Sequence, residues 1–181
     1  VGTNTATSNS MFVSGTTVYS GGSYFNGTKY NACYWTDSAM TPLADDTTYN
    51  SYGYGIFVSG TDVYTGGSRE TATLSLPCYW INDGAPIDVD DMRGIITALY
   101  VYNGDVYSCG SYGAAGQYIP CYWKNSVWVE LPYLDDANNE AKSIVVVDGT
   151  VYVAGIGANA PIGQRTGSSA RASTRSAAAV R

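Results

Sequence analysis

A phrase of about a dozen residues returns four times along the chain, and a polymer written in like units folds into like units. Met11–Gly22 reads MFVSGTTVYSGG, Ile56–Gly67 IFVSGTDVYTGG, Leu99–Gly110 LYVYNGDVYSCG and Ile144–Gly155 IVVVDGTVYVAG. The closing glycines, Gly22, Gly67, Gly110 and Gly155, lie 45, 43 and 45 residues apart. Cys-Tyr-Trp recurs at Cys33, Cys78 and Cys121, and Asp-Asp at Asp45–Asp46, Asp90–Asp91 and Asp135–Asp136. The fourth unit carries the first phrase without the other two, so the pattern runs for three and a half units.

Each unit predicts four short antiparallel strands. In the third, Leu99–Tyr102 is closed by Asn103–Gly104, a strong hairpin signal between strand-like runs. A second strand runs from Asp105 to about Gly110, and the polar stretch Ser111–Gln117 predicts a loop. A third strand covers Ile119–Trp123, a turn Lys124–Ser126, and a fourth strand Val127–Leu131. No 3.6-residue periodicity is sustained, so helix is not expected. Four strands in a unit of about 45 residues is the layout of a β-propeller blade, and the predicted fold is all-β with propeller-type blades. The units divide the chain into an arm at 1–10, blades at 11–55, 56–98 and 99–143, a partial blade at 144–163 and a tail at 164–181. A ring takes four to eight blades. Three and a half therefore predict a piece of a larger propeller or a chain completed by copies of itself as an oligomer or filament, with an arm or the tail adding a strand in trans.

The pattern I/L-x-V-x-G-x-D-V-Y-x-x-G, then Cys-Tyr-Trp and a Leu-containing strand, resembles the β-propeller repeats of secreted and cell-surface bacterial proteins, kelch-like or WD-repeat-like in layout. The resemblance spans residues 11–155. It implies an extracellular or cell-surface location and no particular chemistry, because one fold hosts many functions. The paired glycines and distant tryptophan of kelch repeats are absent, as are the Gly-His and Trp-Asp marks of WD repeats.

The absence of histidine, among 17 tyrosines and 21 glycines, excludes imidazole chemistry and histidine metal sites. No Cys-x-x-Cys, phosphate-binding loop or dinucleotide fingerprint occurs. Residues 1–163 carry five basic against fifteen acidic residues, a net −10, while Arg165, Arg171, Arg175 and Arg181 give the tail +4. An acidic body disfavours nucleic acid. No apolar run reaches the roughly 18 residues of a membrane-spanning helix. The start at Val1 fits a mature or trimmed product.

The expected function is thus a non-enzymatic, self-associating interaction protein. The alternative is a lectin-like module binding glycan through loop tyrosines, Tyr24, Tyr30, Tyr112 and Tyr118. Trp35, Trp80 and Trp123 would join them if exposed, but recurrent tryptophans more simply fill the layers between blades. The Asp pairs Asp45, Asp46, Asp90, Asp91, Asp135 and Asp136 would form a carboxylate ring in a closed propeller. Such a ring would suit Ca2+, although aspartates at a blade-to-blade turn also bond their own backbone. A remote third reading is a hydrolase using Asp46, Asp91 or Asp136. Cys33, Cys78 and Cys121 read as small buried residues, whereas Cys109 replaces the small residues Gly21, Gly66 and Ala154 and would reach Cys121 as a disulfide if the two face each other. Asn26-Gly27-Thr28 is a glycosylation sequon.

Overall fold

The computed structural model describes residues 5–44, 48–114, 117–132, 139–157 and 160–166. They form four antiparallel sheets, each read in chain order. The first holds β1 (Ala6–Ser14), β2 (Thr17–Phe25), β3 (Tyr30–Thr36) and β4 (Ala39–Pro42). The second holds β5 (Ser51–Ser59), β6 (Asp62–Glu70), β7 (Ser75–Ile81) and β8 (Ile87–Asp88). In the third are β9 (Gly94–Tyr102), β10 (Asp105–Ala114), β11 (Gln117–Lys124) and β12 (Val127–Glu130), and in the fourth β13 (Glu140–Val147), β14 (Thr150–Gly157) and β15 (Ala160–Thr166). The chain is all-β, one sheet to one repeat. Among the described residues no buried cluster joins the first sheet to the fourth.

Three expectations are corrected. The first strands begin earlier than the repeated phrase, at Ala6, Ser51, Gly94 and Glu140, so the second half of the expected N-terminal arm, from Ala6 to Ser10, belongs to β1. The loop expected over Ser111–Gln117 is largely strand, β10 reaching Ala114 and β11 starting at Gln117. The fourth unit does have a third strand, since Val151–Gly157 pairs with Ala160–Thr166. The tail beyond Thr166 lies outside the described residues.

Local chemistry sets the hairpins. Asn103–Gly104 and Asp148–Gly149 place two consecutive residues at positive φ (52° and 83°, 50° and 73°), as the type I′ turn requires. The turns after the third strands use Asp37, Asn82 and Asn125, at φ 53°, 53° and 47°. The side-chain Oδ1 of each accepts from the backbone N–H of Val18, Val63 or Val106 at 2.9–3.0 Å, while its own N–H donates back to the same residue's carbonyl. Asp and Asn tolerate the left-handed conformation and carry the oxygen that closes this bridge.

One bulge per sheet explains the recurring glycine. Register slips by one residue at Asn9, Tyr54, Thr97 and Lys142 in the four first strands. The bulge pushes the preceding strand's backbone toward the partner position. A Cβ on Gly22, Gly67, Gly110 or Gly155 would lie 1.8–2.2 Å from the carbonyl oxygen of Thr7, Tyr52, Ile95 or Glu140, which no side chain tolerates. Two bulged side chains tie neighbouring sheets together. Asn9 Nδ2 donates to Gly53 O at 2.7 Å, and Thr97 Oγ1 donates to Ala141 O at 2.5 Å.

The core lies between the sheets, and period-two alternation gives each sheet two unlike faces. One face, here the front, carries aliphatic residues and a tryptophan: Ile56, Val58, Val63 and Trp80 in the second sheet. The other, the back, carries aromatic residues: Phe12, Tyr19 and Tyr34 in the first. The back of the first sheet packs on the front of the second, burying Ile56, Val58 and Val63 against Phe12, Tyr19 and Tyr34. The back of the second, with Phe57, Tyr64 and Tyr79, packs on Ile96, Leu99, Val106 and Trp123 of the third. Tyr100, Tyr107 and Tyr122 of the third then cover Ile144, Val146, Val151 and Val153 of the fourth. Along the first strands the rings of Phe12, Phe57 and Tyr100 make a file with centroids 4.8 and 4.7 Å apart.

Candidate functional site

Two surfaces stand out, the uncovered end faces and one rim. At the first end, no other sheet among the described residues packs on the front of the first sheet. Register places Met11, Ser20, Trp35 and Met40 in one cross-strand row and Val13 beside Val18 in the next. These are the positions held in the second sheet by Ile56, Thr65 and Trp80, with Val58 beside Val63. There they are shielded: Ile56 and Val58 are each 7% exposed and Trp80 is fully buried, whereas Met11 is 69% and Val13 53% exposed. Trp35 is half-buried and Met40 exposed. At the far end, Val145, Val147, Tyr152 and Ile156 on the back of the fourth sheet are all exposed, although Tyr100 and Tyr107, equivalent to Val145 and Tyr152, pack on the next sheet. The two ends therefore carry the two halves of the junction that recurs between the sheets. The apolar residues at both ends lie in rows rather than scattered.

The rim lies where the first strands begin, the second strands end and the third strands begin. Phe25, Tyr30, Tyr52 and Tyr54 line up along it, with successive ring centroids 5.3, 5.7 and 6.3 Å apart, and Tyr52 and Tyr54 are nearly parallel at 16°. Asn50 fixes this corner. Its Oδ1 accepts from Tyr30 N–H at 3.0 Å, and its Nδ2 donates to Glu70 Oε2 at 2.8 Å. Burial, with the Glu70 carboxylate nearby, raises the Tyr52 and Tyr54 phenols above their ordinary pKa, so both keep their protons. Two adjoining open hollows follow, of about 170 Å³ and about 210 Å³, sharing Ile95 and Tyr118. The first is flanked by Tyr52, Tyr54, Glu70 and Arg93, the second by Ser111 and Glu140. Arg93 runs its stem past Gly113, its Cδ 3.6 Å from where a Cβ there would stand.

Of the four tyrosines singled out from sequence, Tyr30 and Tyr118 are exposed on this rim. Tyr24 is half-buried in β2. Tyr112 is a correction: it is buried, packs edge-on against Trp128 with centroids 5.2 Å apart, and donates to Glu130 at 3.4 Å. Trp80 and Trp123 are fully buried, so they are no ligand platforms. Tyr52 and Tyr54 were not singled out. Their signal was the Tyr-Gly-Tyr-Gly stretch before the second repeat, which the bulge turns onto the rim.

Asp45, Asp46, Asp135 and Asp136 lie outside the described residues. Asp90 serves its own turn, accepting from Met92 N–H at 3.1 Å, and also accepts from Trp123 Nε1 at 3.4 Å; Asp91 is exposed. Among the described residues no group of three or more Asp, Glu or Cys side chains is arranged to hold a metal ion. The Cys109–Cys121 disulfide is corrected by register. Cys109 pairs with Tyr122 and Gly110 with Cys121, so the thiols point to opposite faces, Cys109 toward the fourth sheet and Cys121 toward the second. All four cysteines are buried, and none is in a disulfide. Burial pushes the Cys33 and Cys109 thiols up to about 12 and raises Cys121 as well. Cys33, Cys78 and Cys121 each stand beside the bulge-facing glycine of the second strand, where a small side chain fits. Asn26 sits on an exposed hairpin, its Oδ1 accepting from Thr28 N–H, Thr28 Oγ1 and Lys29 N–H at 2.8–3.0 Å.

No family model matches the chain, and no curated protein matches it. Among solved structures it is similar to the computationally designed protein Ika8, at 16% identity and a TM-score of 0.42 over 82% of this chain. The match spans 42% of that protein's length.

Proposed function

We propose that this chain is a non-enzymatic interaction protein that assembles with copies of itself by continuing its own sheet stack, the back of the fourth sheet of one copy covering the front of the first sheet of the next. The observation that carries this reading is positional. Residues exposed on the first front, Met11, Val13 and Val18, occupy the places that a preceding sheet buries as Ile56, Val58 and Val63. Such a contact joins unlike faces and is therefore heterologous. It closes into a propeller-like ring if the rotation between copies suits, and otherwise grows into a filament. The sheets act as blades in this reading. The resemblance to secreted and cell-surface repeats, with Asn26 on an exposed hairpin, supports a location outside the cell or on its surface.

The test is the solution mass by light scattering across a concentration series, on the full chain and on a chain ending at Thr166. A discrete oligomer or growing polymer in both supports stacking. A polymer that collapses without the tail assigns assembly to the tail instead. A monomer in both refutes self-association and favours a larger propeller whose further blades cover these ends.

A further inference from the structure

We infer that the tyrosine-lined rim running from Tyr30 of the first sheet to Glu140 of the fourth is a binding groove for a neutral oligosaccharide. A pyranose offers an apolar C–H face and a belt of hydroxyls. A matching groove offers aromatic faces beside planar, oriented hydrogen-bonding groups, and the rim supplies both. Tyr30, Tyr52 and Tyr54 form a continuous aromatic row, and Tyr118 stands exposed where the two hollows meet. Glu70, held by Asn50, and Arg93 flank the same hollow and can accept from and donate to sugar hydroxyls. The phenols add further donors.

The same features argue against other ligands. An anionic chain would meet the Glu70 and Glu140 carboxylates with Arg93 the one basic residue lining either hollow. A purely apolar ligand would desolvate the tyrosine hydroxyls and the charged groups that line the hollows and return no hydrogen bonds to them. A basic peptide would be drawn by Glu70 and Glu140 but opposed by Arg93, and it is the competing class in the test below. The hollows are shallow and side by side, a form suited to a linear chain lying across them rather than to an engulfed small molecule.

The second hollow reaches Ile156 of the far end face, so the groove is tested on a chain carrying Val13→Glu to keep assembly out of the readout. The probes are neutral hexasaccharides of glucose, mannose, galactose and xylose, titrated calorimetrically, with a lysine hexapeptide as the competing class. Saturable binding of at least one hexasaccharide is expected, weakened about tenfold by Tyr118→Ala and by Tyr52→Ala. Tyr118→Phe should retain most of the affinity, because the stacking face survives. Circular dichroism checks that each variant is folded, and exposed Tyr118 guards the test against a misfolded Tyr52 variant. Absence of binding to all four sugars, binding indifferent to both alanine variants, or binding of the lysine peptide alone would each overturn the inference.

Discussion

Trp35 and Trp80 are the same residue of two successive repeats, and they live in different surroundings. Trp80 is fully buried between the first and second sheets, packed with Ala32, Leu43 and Cys78, and its Nε1 donates to Ala44 O at 2.9 Å. Trp35 occupies the matching place on a front that no other sheet among the described residues covers, and it stays half-buried. Both stand in a Cys-Tyr-Trp phrase; what differs is whether another sheet's back lies against it. A repeat here is thus half of a sheet-to-sheet junction, and the two ends carry its uncovered halves.

The sharpest way to break this comparison is to truncate equivalent tryptophans. Trp123→Ala removes a fully buried ring between the second and third sheets and is expected to cost about 3–5 kcal/mol of stability by urea unfolding. Trp35→Ala should cost well under half of that in dilute protein. Equal losses would mean that the first front is covered already. Next, Gly67→Ala forces a Cβ against Tyr52 O and is expected to cost about 1–3 kcal/mol, whereas Gly60→Ala, in an open turn, meets no neighbour and loses only the conformational freedom its positive φ requires, on the order of 1 kcal/mol.

Alkaline pH probes the interior without mutation. Unfolded thiols ionise near the ordinary value of 9.0, while folded Cys33 and Cys109 hold their protons to about 12. Above pH 9 the folded state therefore binds more protons than the unfolded one, and stability falls as pH rises. The expected slope is about 1.4 kcal/mol per pH unit for each thiol up to about pH 12. Replacing Cys109 by Ala should reduce that slope, and an unchanged slope would show that the thiol is not buried. The smallest effect is expected at Asp37→Asn, which keeps the oxygen that accepts from Val18 N–H and should change stability by no more than about 0.5 kcal/mol, whereas Asp37→Ala loses it at roughly 1 kcal/mol.

Much of the fold was legible because its determinants are local. Asn103–Gly104 announces a type I′ turn, since those residue types alone tolerate the dihedrals, and the repeated alternation announces strands. The bulges were not legible as such. They appear in sequence only as an invariant glycine whose reason lies in the carbonyl of the neighbouring strand. β15 was missed because Ala160–Thr166 has neither aromatic nor β-branched runs, and a backbone ladder with β14 needs neither. The Cys109–Cys121 pairing failed on one residue of register, which reverses the face of a side chain. Tyr112 was misplaced because tyrosine serves equally in a core with a partner for its hydroxyl and on a surface, and only packing against Trp128 decides. The rim groove was half visible, through Tyr30 and Tyr118; Tyr52 and Tyr54 reach it through a bulge.

The central claim, that unlike ends join, is tested most directly by complementation. One variant blocks the front with Met11→Lys and Val13→Glu, and another blocks the back with Val145→Glu and Val147→Lys, all at exposed positions. Each alone retains a single working face and is expected to be monomeric by light scattering. Mixed, they should form a one-to-one dimer through the intact back of the first variant and the intact front of the second. A dimer formed by either variant alone, or no association on mixing when the unmodified chain assembles, would contradict head-to-tail stacking.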